Sequence, residues 1–397
     1  MDRFSIIQAA PEIGLLGGSE NAAFELHRAW LARGIDSRVI TGHTNQPEVR
    51  QGVILTIPKL NGWIRRLGSE HLVTILAVPM NTLAATWRLW KARGSALVVS
   101  HGDSLMGDVY VIHSVTKANV IEKKRRGHYL WLFNPIHLWV MARDWWLFRG
   151  GRFRQVVTVS ERLRQQLKQH YRVPDEKIVV IPNGVNLWRF SPRHATSRAR
   201  VRRELGISED VPLLLFVGHD LERKGLSYVI EALGKMRTTA CLLVVGTEGD
   251  ARYQELAERL GISKRVIFAG KRSDIHLVYP AADAFLLPSR YETFSLLVLE
   301  AMASGVPVLA SPVGSIEDCL RDEQNGLYIK RDAQDIAARL DRLFSDANLR
   351  TRLREQGLAT ARQYAWGNIA DRYLALLEKL KDERQNEQLA ESVSEAA

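Results

Sequence analysis

At 397 residues, 46% hydrophobic and 25% charged, the chain has a globular composition and more length than one core comfortably uses, so two domains are expected. The formal net charge of +11 asks for an acidic partner, whether nucleic acid, anionic lipid or a phosphorylated substrate. Cys241 and Cys319 are the only cysteines, which excludes a multi-disulfide framework or a cysteine zinc site and suits a reducing compartment. The opening MDRFSIIQAAPEIG is too short in apolar run for a signal peptide, and LVTILAVPM (72–80) falls short of the roughly 20 residues of a bilayer span. A cytoplasmic protein is expected, with the membrane surface as one place for it.

FSIIQA (4–9) predicts a buried strand. A loop with Pro11, Gly14, Gly17 and Gly18 follows, then a helix from Ser19 to Arg33 and a strand over 36–41. In this βαβ opening the Gly17-Gly18 pair either brings bare N–H groups against a phosphate or simply turns the chain. It is not a GxGxxG fingerprint, which counts against a nicotinamide dehydrogenase. Residues 61–95 read as helical and basic, with Trp63, Arg65, Arg66, Trp87, Arg88, Trp90, Lys91 and Arg93. ALVVSHGD (96–103) and DVYVIHS (108–114) are strands that each deliver a histidine at the carboxyl end, as a structural residue or as part of a site. Eight of the ten tryptophans precede residue 150, several of them in HYLWLFNPIHLWVMARDWWLF (128–148). Rings beside arginines suit a bilayer interface or a domain core, and Pro135 interrupts the run. Strands over 155–160 and 177–182, with a helix between them through His170, complete the first domain.

The second domain opens with LLLFVGHDLERKGLSYVIEAL (213–233). A buried strand ends at Gly218, a loop presents Arg223-Lys224-Gly225, and a helix follows. Two cations at the carboxyl end of a strand can neutralise a leaving diphosphate. Further strands are expected over 241–246 and 265–274. ADAFLLP (282–288) runs into Ser289-Arg290-Tyr291-Glu292, so Glu292 emerges where open α/β sheets bind ligands. A helix over 293–304, capped by Thr293 or Ser295 and closed by Ser304-Gly305, offers the N–H groups near Phe294, Ser295 and Leu296 to an anion. Glu300 lies eight positions beyond Glu292, about 12 Å along a helix axis, roughly the distance from ribose to hexose in a nucleotide sugar. Glu300 on the ribose, pyrophosphate on the helix start and Glu292 on the sugar is one reading; two solvated surface carboxylates is the other. Residues 350–381 read as helical, and the polar last stretch reads as disordered.

The run AADAFLLPSRYETFSLLVLEAMASGVPVLASPVGSIEDCL (281–320) resembles the donor-binding segment of the family 4 retaining glycosyltransferases, whose signature is two glutamates separated by seven residues. Glu292 and Glu300 match it, with Thr293-Phe294-Ser295 where that family often has Gly-Phe-Gly. IPNGVNLWRFSP (181–192) is similar to the segment that leads into the family's interdomain linker. The resemblance implies an α/β fold of two Rossmann-like domains facing each other across a cleft, the GT-B architecture. An acceptor domain is expected over 1–190 and a nucleotide-sugar domain over 191–364. A helix over 365–381 would return to the first domain, with a disordered tail over 382–397.

The same resemblance implies site roles. Lys224 contacts the donor phosphates, with Arg223 as the second cation because His219 stands where the family often has arginine. Gly18 lies in the glycine-rich loop facing the phosphates, and the loop VGS (313–315) closes over them. His113, in HSVTK, lies near the donor sugar, and the backbone at Lys271 and Arg272 forms the base-binding turn. Catalytic roles fall to Glu292 and His113, and Glu300 holds the ribose. The implied reaction is transfer of a hexose, with retention, from a nucleotide-diphosphate sugar. A UDP-sugar is the first choice, with no cofactor and, since no Asp-x-Asp motif is present, no metal. The acceptor is expected to be a glycan or lipid-linked glycan, with an anionic membrane surface as a further partner and nucleic acid excluded. GDVYVIHS resembles the lipopolysaccharide-core glucosyltransferases, which points to cell-envelope synthesis at the inner face of the membrane. A sugar-nucleotide epimerase, a phosphorylase and a non-catalytic membrane scaffold are the alternatives.

Overall fold

The computed structural model describes residues 5–14, 18–44, 52–55, 70–102, 104–125, 135–246 and 250–396. They form two compact units: Met1–Asn183 with Trp366–Ala397, and Gly184–Ala365. The first carries seven parallel strands: β1 (Ile6–Ile13), β2 (Ser37–Thr44), β3 (Val53–Leu55), β4 (Leu97–Ser100), β5 (Val109–Ile112), β6 (Gln155–Thr158) and β7 (Ile178–Val180), in spatial order 3-2-1-4-5-6-7. The second carries six: β8 (Leu213–Val217), β9 (Cys241–Val245), β10 (Val266–Phe268), β11 (Ala284–Leu287), β12 (Val308–Ala310) and β13 (Leu327–Tyr328), in order 10-9-8-11-12-13. Both are Rossmann-like α/β sheets. The strand order reverses between β1 and β4 in one unit and between β8 and β11 in the other, and open sheets bind ligands outside the carboxyl ends of the strands at such a point.

Continuous apolar runs follow from burial on both faces. In β8, Leu213, Leu215 and Val217 join one core cluster, while Leu214 and Phe216 join the cluster on the opposite face. The first unit follows the same logic. Ile7, Ala9, Ile40 and Val98 pack with Ala85 and Leu89 of the helix Glu70–Ala92, and Ile13 and Val39 meet Phe24 of the helix Gly18–Ala32.

Several boundaries differ from the sequence reading. β1 continues through Pro11 to Ile13 instead of ending before a loop. Beyond Ala9 it pairs only with β2, and that register passes over Pro11, so the missing N–H costs no ladder bond. The first unit ends at Asn183, ahead of residue 190, because Val185 and Phe190 belong to the second unit's core. Residues 350–381 are two helices, Ala347–Gln363 and Trp366–Ala396, parted at Tyr364 and Ala365, where Val185 N donates to Tyr364 O at 2.8 Å. The last helix packs on the first unit. Arg33 Nε donates to Asp371 Oδ1 at 2.9 Å, Arg372 to Val180 O at 2.7 Å, and Trp30 meets Tyr373 edge-on at 6.2 Å. The stretch expected to be disordered continues that helix to Ala396, and Glu387 pairs with Arg154 at 2.6 Å. Pro135 is the first described residue of the helix Pro135–Arg149, so its expected interruption of the apolar run falls at the border of the described residues. Residues 61–69 and 128–134 of the tryptophan-rich segments lie outside the described residues.

Candidate active site

β8 and β11, neighbours at the reversal point, each release a chain segment that brings charge to one place. After β8 the chain turns at Gly218 and makes a single helical turn, Leu221–Lys224, in place of the expected loop. Asp220 caps that turn by accepting from Arg223 N at 3.0 Å, and Gly225, with φ of 82°, ends it. After β11 come Pro288 and Ser289, then Glu292. Glu292 is only 7% exposed, and its Oε1 accepts from Ser289 Oγ at 2.8 Å, Lys224 Nζ at 3.1 Å and Arg223 Nη1 at 3.4 Å. All three donors meet the same carboxylate oxygen. Oε2 takes part in none of these bonds. A carboxylate this buried persists as a charge only with such partners.

Close backbone packing makes the arrangement rigid. A Cβ on Gly218 would lie 2.1 Å from Lys224 Cδ, so only glycine lets the lysine stem cross there toward Glu292. A Cβ on Gly314 would lie 1.7 Å from the Glu292 carbonyl oxygen, which places the loop 313–315 directly against the glutamate's backbone. That loop also supplies Ser315 Oγ, which accepts from Ser295 N at 2.9 Å. Arg331 ties the two segments together, donating to Arg223 O at 2.8 Å and Pro288 O at 2.6 Å.

The helix expected over 293–304 spans Leu296–Ala303, with Ser295 in the N-cap position. Ser295 Oγ makes no cap bond, and it is buried without a hydrogen-bond partner. The first-turn N–H groups of a helix have no intrahelical acceptor. Phe294, Ser295 and Leu296 lie at this helix start, and the Ser295 N–H is engaged by Ser315. Glu300 lies one turn before the helix end, partly buried, and Tyr279 Oη donates to its Oε2 at 3.0 Å. Burial raises its carboxyl to about 7, against the hydrogen bond from Tyr279 and the charges of Arg189 and Lys224.

Other predicted residues behave differently. His219 is exposed, and its Nδ1 donates to Gly246 O at 2.7 Å, so its ring is anchored beside β9. The Lys271–Arg272 backbone lies near that same place, because Gly246 N donates to Gly270 O at 2.8 Å. The Arg272 side chain points into ion pairs with Glu204 and Asp274, each at 2.7 Å, while the expectation for this turn concerned its backbone. Gly18 is the first described residue of its helix, and among the described residues nothing lies within 4 Å of where its Cβ would be; Gly17 lies outside the described residues. In the first unit, His113 at the end of β5 is partly buried and 3.3 Å from His101 at the end of β4. Ser289, Arg331, Tyr279 and His101 were not assigned from sequence. Ser289 and His101 sat in strand ends already singled out, whereas Arg331 reaches Arg223 from 108 positions away with no local signal.

A family model for glycosyl transferases group 1 matches residues 197–360, and a model for Glycosyltransferase Family 4 matches residues 16–189. The chain belongs to the family 4 glycosyltransferases. Among similar curated proteins, the D-inositol 3-phosphate glycosyltransferase of Nocardia farcinica is 35% identical over 55% of this chain and 51% of its own. The lipopolysaccharide glucosyltransferase WaaG of Escherichia coli is 29% identical over 67% of this chain and 69% of its own. The chain thus spans about half the length of several relatives it matches. The solved structure of WaaG superposes with a TM-score of 0.73 at 22% identity, covering 93% of this chain and 98% of that one. The structure of Anabaena Alr3699/HepE in complex with UDP-glucose gives 0.67 at 18% identity, covering 95% and 100%. These likenesses show for this chain the GT-B fold of two Rossmann-like domains.

Proposed function

We propose that the chain transfers a hexose from a nucleotide-diphosphate sugar to a glycan or lipid-linked acceptor with retention of anomeric configuration. The observation that carries this reading is the convergence of Lys224, Arg223 and Ser289 on Glu292 Oε1, a few residues before a helix start at which the Ser295 hydroxyl has no partner. The free first-turn N–H groups and Ser295 Oγ suit a diphosphate, with Lys224 and Arg223 neutralising the charge that grows as it leaves. No metal ion is needed in this scheme. Glu292, pinned through Oε1, offers Oε2 to the sugar, where a fixed negative charge favours an oxocarbenium-like state. Departure and attack on one face of the sugar is preferred over a covalent Glu292 adduct, because three donors on the carboxylate weaken it as a nucleophile. Glu300 holds the ribose, the backbone at Lys271 and Arg272 the base, and the resemblance assigns His113 to the donor sugar. UDP is the first choice of nucleotide, in line with the Anabaena protein solved with UDP and glucose.

The acceptor reading, in cell-envelope or lipopolysaccharide synthesis, is supported by the likeness to WaaG and by the surface of the first unit. Met80, Leu83, Trp87 and Trp90 are exposed along one stripe of the helix Glu70–Ala92, and Leu138 and Trp145 along one stripe of the helix Pro135–Arg149, which packs against it. Trp30, by contrast, is fully buried in the core. Lys91 sits over the Trp87 ring at 4.0 Å and Arg149 over Trp145 at 5.4 Å, a pairing suited to an anionic lipid interface. Among the described residues no helix is long and apolar enough to cross a membrane. Peripheral attachment at the cytoplasmic face fits this stripe.

A screen for release of UDP, GDP or ADP from candidate donors, with and without lipid-linked acceptors, tests the proposal. Acceptor-dependent release with the α- or β-configuration preserved in the product supports it. Phosphate-dependent release would indicate a phosphorylase, isomerised sugar nucleotide an epimerase, and no turnover of any donor a scaffold.

A further inference from the structure

β4 and β5 are neighbours in the first sheet and end together, each handing over a histidine. His101 is buried. The two rings lie 18° from parallel with centroids 5.6 Å apart, and His113 Nε2 stands 3.3 Å from His101 Nδ1. On its other edge, His101 Nε2 is 2.9 Å from Oε1 of Gln8, a fully buried residue of β1. The Gln8 amide has only one sensible orientation, because its Nε2 donates to Ala23 O at 3.2 Å.

Proton positions then fall into order. Gln8 Oε1 can only accept, so His101 Nε2 carries a hydrogen. A neutral His101 has no second proton, so its Nδ1 is a bare lone pair. That lone pair needs a donor, so His113 Nε2 carries a hydrogen, and a neutral His113 is left with a bare Nδ1. We infer that the chain Ala23–Gln8–His101–His113 locks His113 in the Nε2–H tautomer, so that it meets its ligand as a hydrogen-bond acceptor through Nδ1, with Gln8 and His101 as positioning residues. Neutrality is supported by burial, which lowers His113 to about 4 and, with the neighbouring ring, pushes His101 well below the usual histidine range.

The consequence is chemical. A bare nitrogen accepts from a hydroxyl but finds only another acceptor in a phosphate oxygen. His113 is thereby suited to a sugar hydroxyl and unsuited to the diphosphate. The identity of that ligand rests on the transferase proposal; the tautomer does not.

Long-range ¹H–¹⁵N correlation spectra of the full-length protein, labelled at histidine nitrogens, report each tautomer directly. The expected pattern at neutral pH is protonated Nε2 and unprotonated Nδ1 for both His101 and His113. An Nδ1–H tautomer or an imidazolium at either residue would overturn the inference. In Gln8→Leu, His101 should lose its fixed tautomer and His113 should become a mixture, with kcat down about tenfold and KM for the nucleotide sugar within about twofold. Unaltered tautomers in that variant would remove Gln8 and His101 from the positioning role. If the variant does not fold, the wild-type spectrum still decides. The expected spectrum together with no turnover of any sugar nucleotide would retain the tautomer and refute the transferase reading instead.

Discussion

Glu300 sits on the donor helix with its carboxyl raised to about 7 by burial, and a ribose held by that group must donate its hydroxyls to the ionised form. Donor binding should therefore release a proton at low pH, and affinity should rise with pH through about 7. The ionised fraction of a group titrating near 7 is about one tenth at pH 6 and nine tenths at pH 8, so Kd should fall about tenfold across that interval, or about 1.4 kcal/mol. An intact nucleotide sugar is the right ligand for calorimetry at constant ionic strength, because its esterified phosphates do not titrate there. Glu300→Gln should flatten the profile and weaken binding most at high pH. Tyr279→Phe removes the hydrogen bond that favours the carboxylate, leaving the charges of Arg189 and Lys224, so its midpoint should move upward. A flat wild-type profile, or one that Glu300→Gln leaves unchanged, would refute the ribose assignment.

Glu292→Ala should retain nucleotide binding within about threefold while turnover falls by at least about a hundredfold, as loss of an electrostatic stabiliser does; steady-state kinetics and calorimetry read the two separately. Lys224→Met leaves a buried carboxylate with Arg223 and Ser289 only, so about 3 kcal/mol of stability should be lost, seen as a thermal midpoint roughly 6–12 °C lower. Gly218→Ala puts a Cβ 2.1 Å from Lys224 Cδ, and with the lysine turned away from Glu292 turnover should drop about a hundredfold in a protein whose far-ultraviolet spectrum is unchanged. Replacing both Trp87 and Trp90 with serine should weaken binding to anionic vesicles about tenfold in a sedimentation assay and leave transfer to a water-soluble acceptor intact.

Chain order alone was enough for most of the strands and the residues at their carboxyl ends, because short apolar runs such as LLLFV and AFLL, bounded by turn residues, suit buried parallel strands, whereas the reversal points depend on which strands pair. Glu292, Lys224 and the helix start were legible for the same reason: each lies a few residues beyond such a run, and local periodicity sets the next element. Pro11 misled, since whether proline can sit in a strand depends on which neighbours need its N–H, and that is a property of the sheet. The polar tail misled as well, since composition says nothing of the preceding helix that continues into it.

What only the tertiary structure decided is how these groups use one another. Lys224 was expected on phosphate and Glu292 on sugar, yet 68 positions apart in sequence they share one hydrogen bond, and Gly218 leaves the space in which the lysine stem reaches it. The Arg272 side chain is held by Glu204, 68 positions earlier, and by Asp274. The proton on His113 depends on an amide in β1 and a carbonyl in the first helix. Secondary structure is set by nearest neighbours along the chain, whereas charge pairing and proton position are set by neighbours in space, and those are assigned only when the sheet has closed.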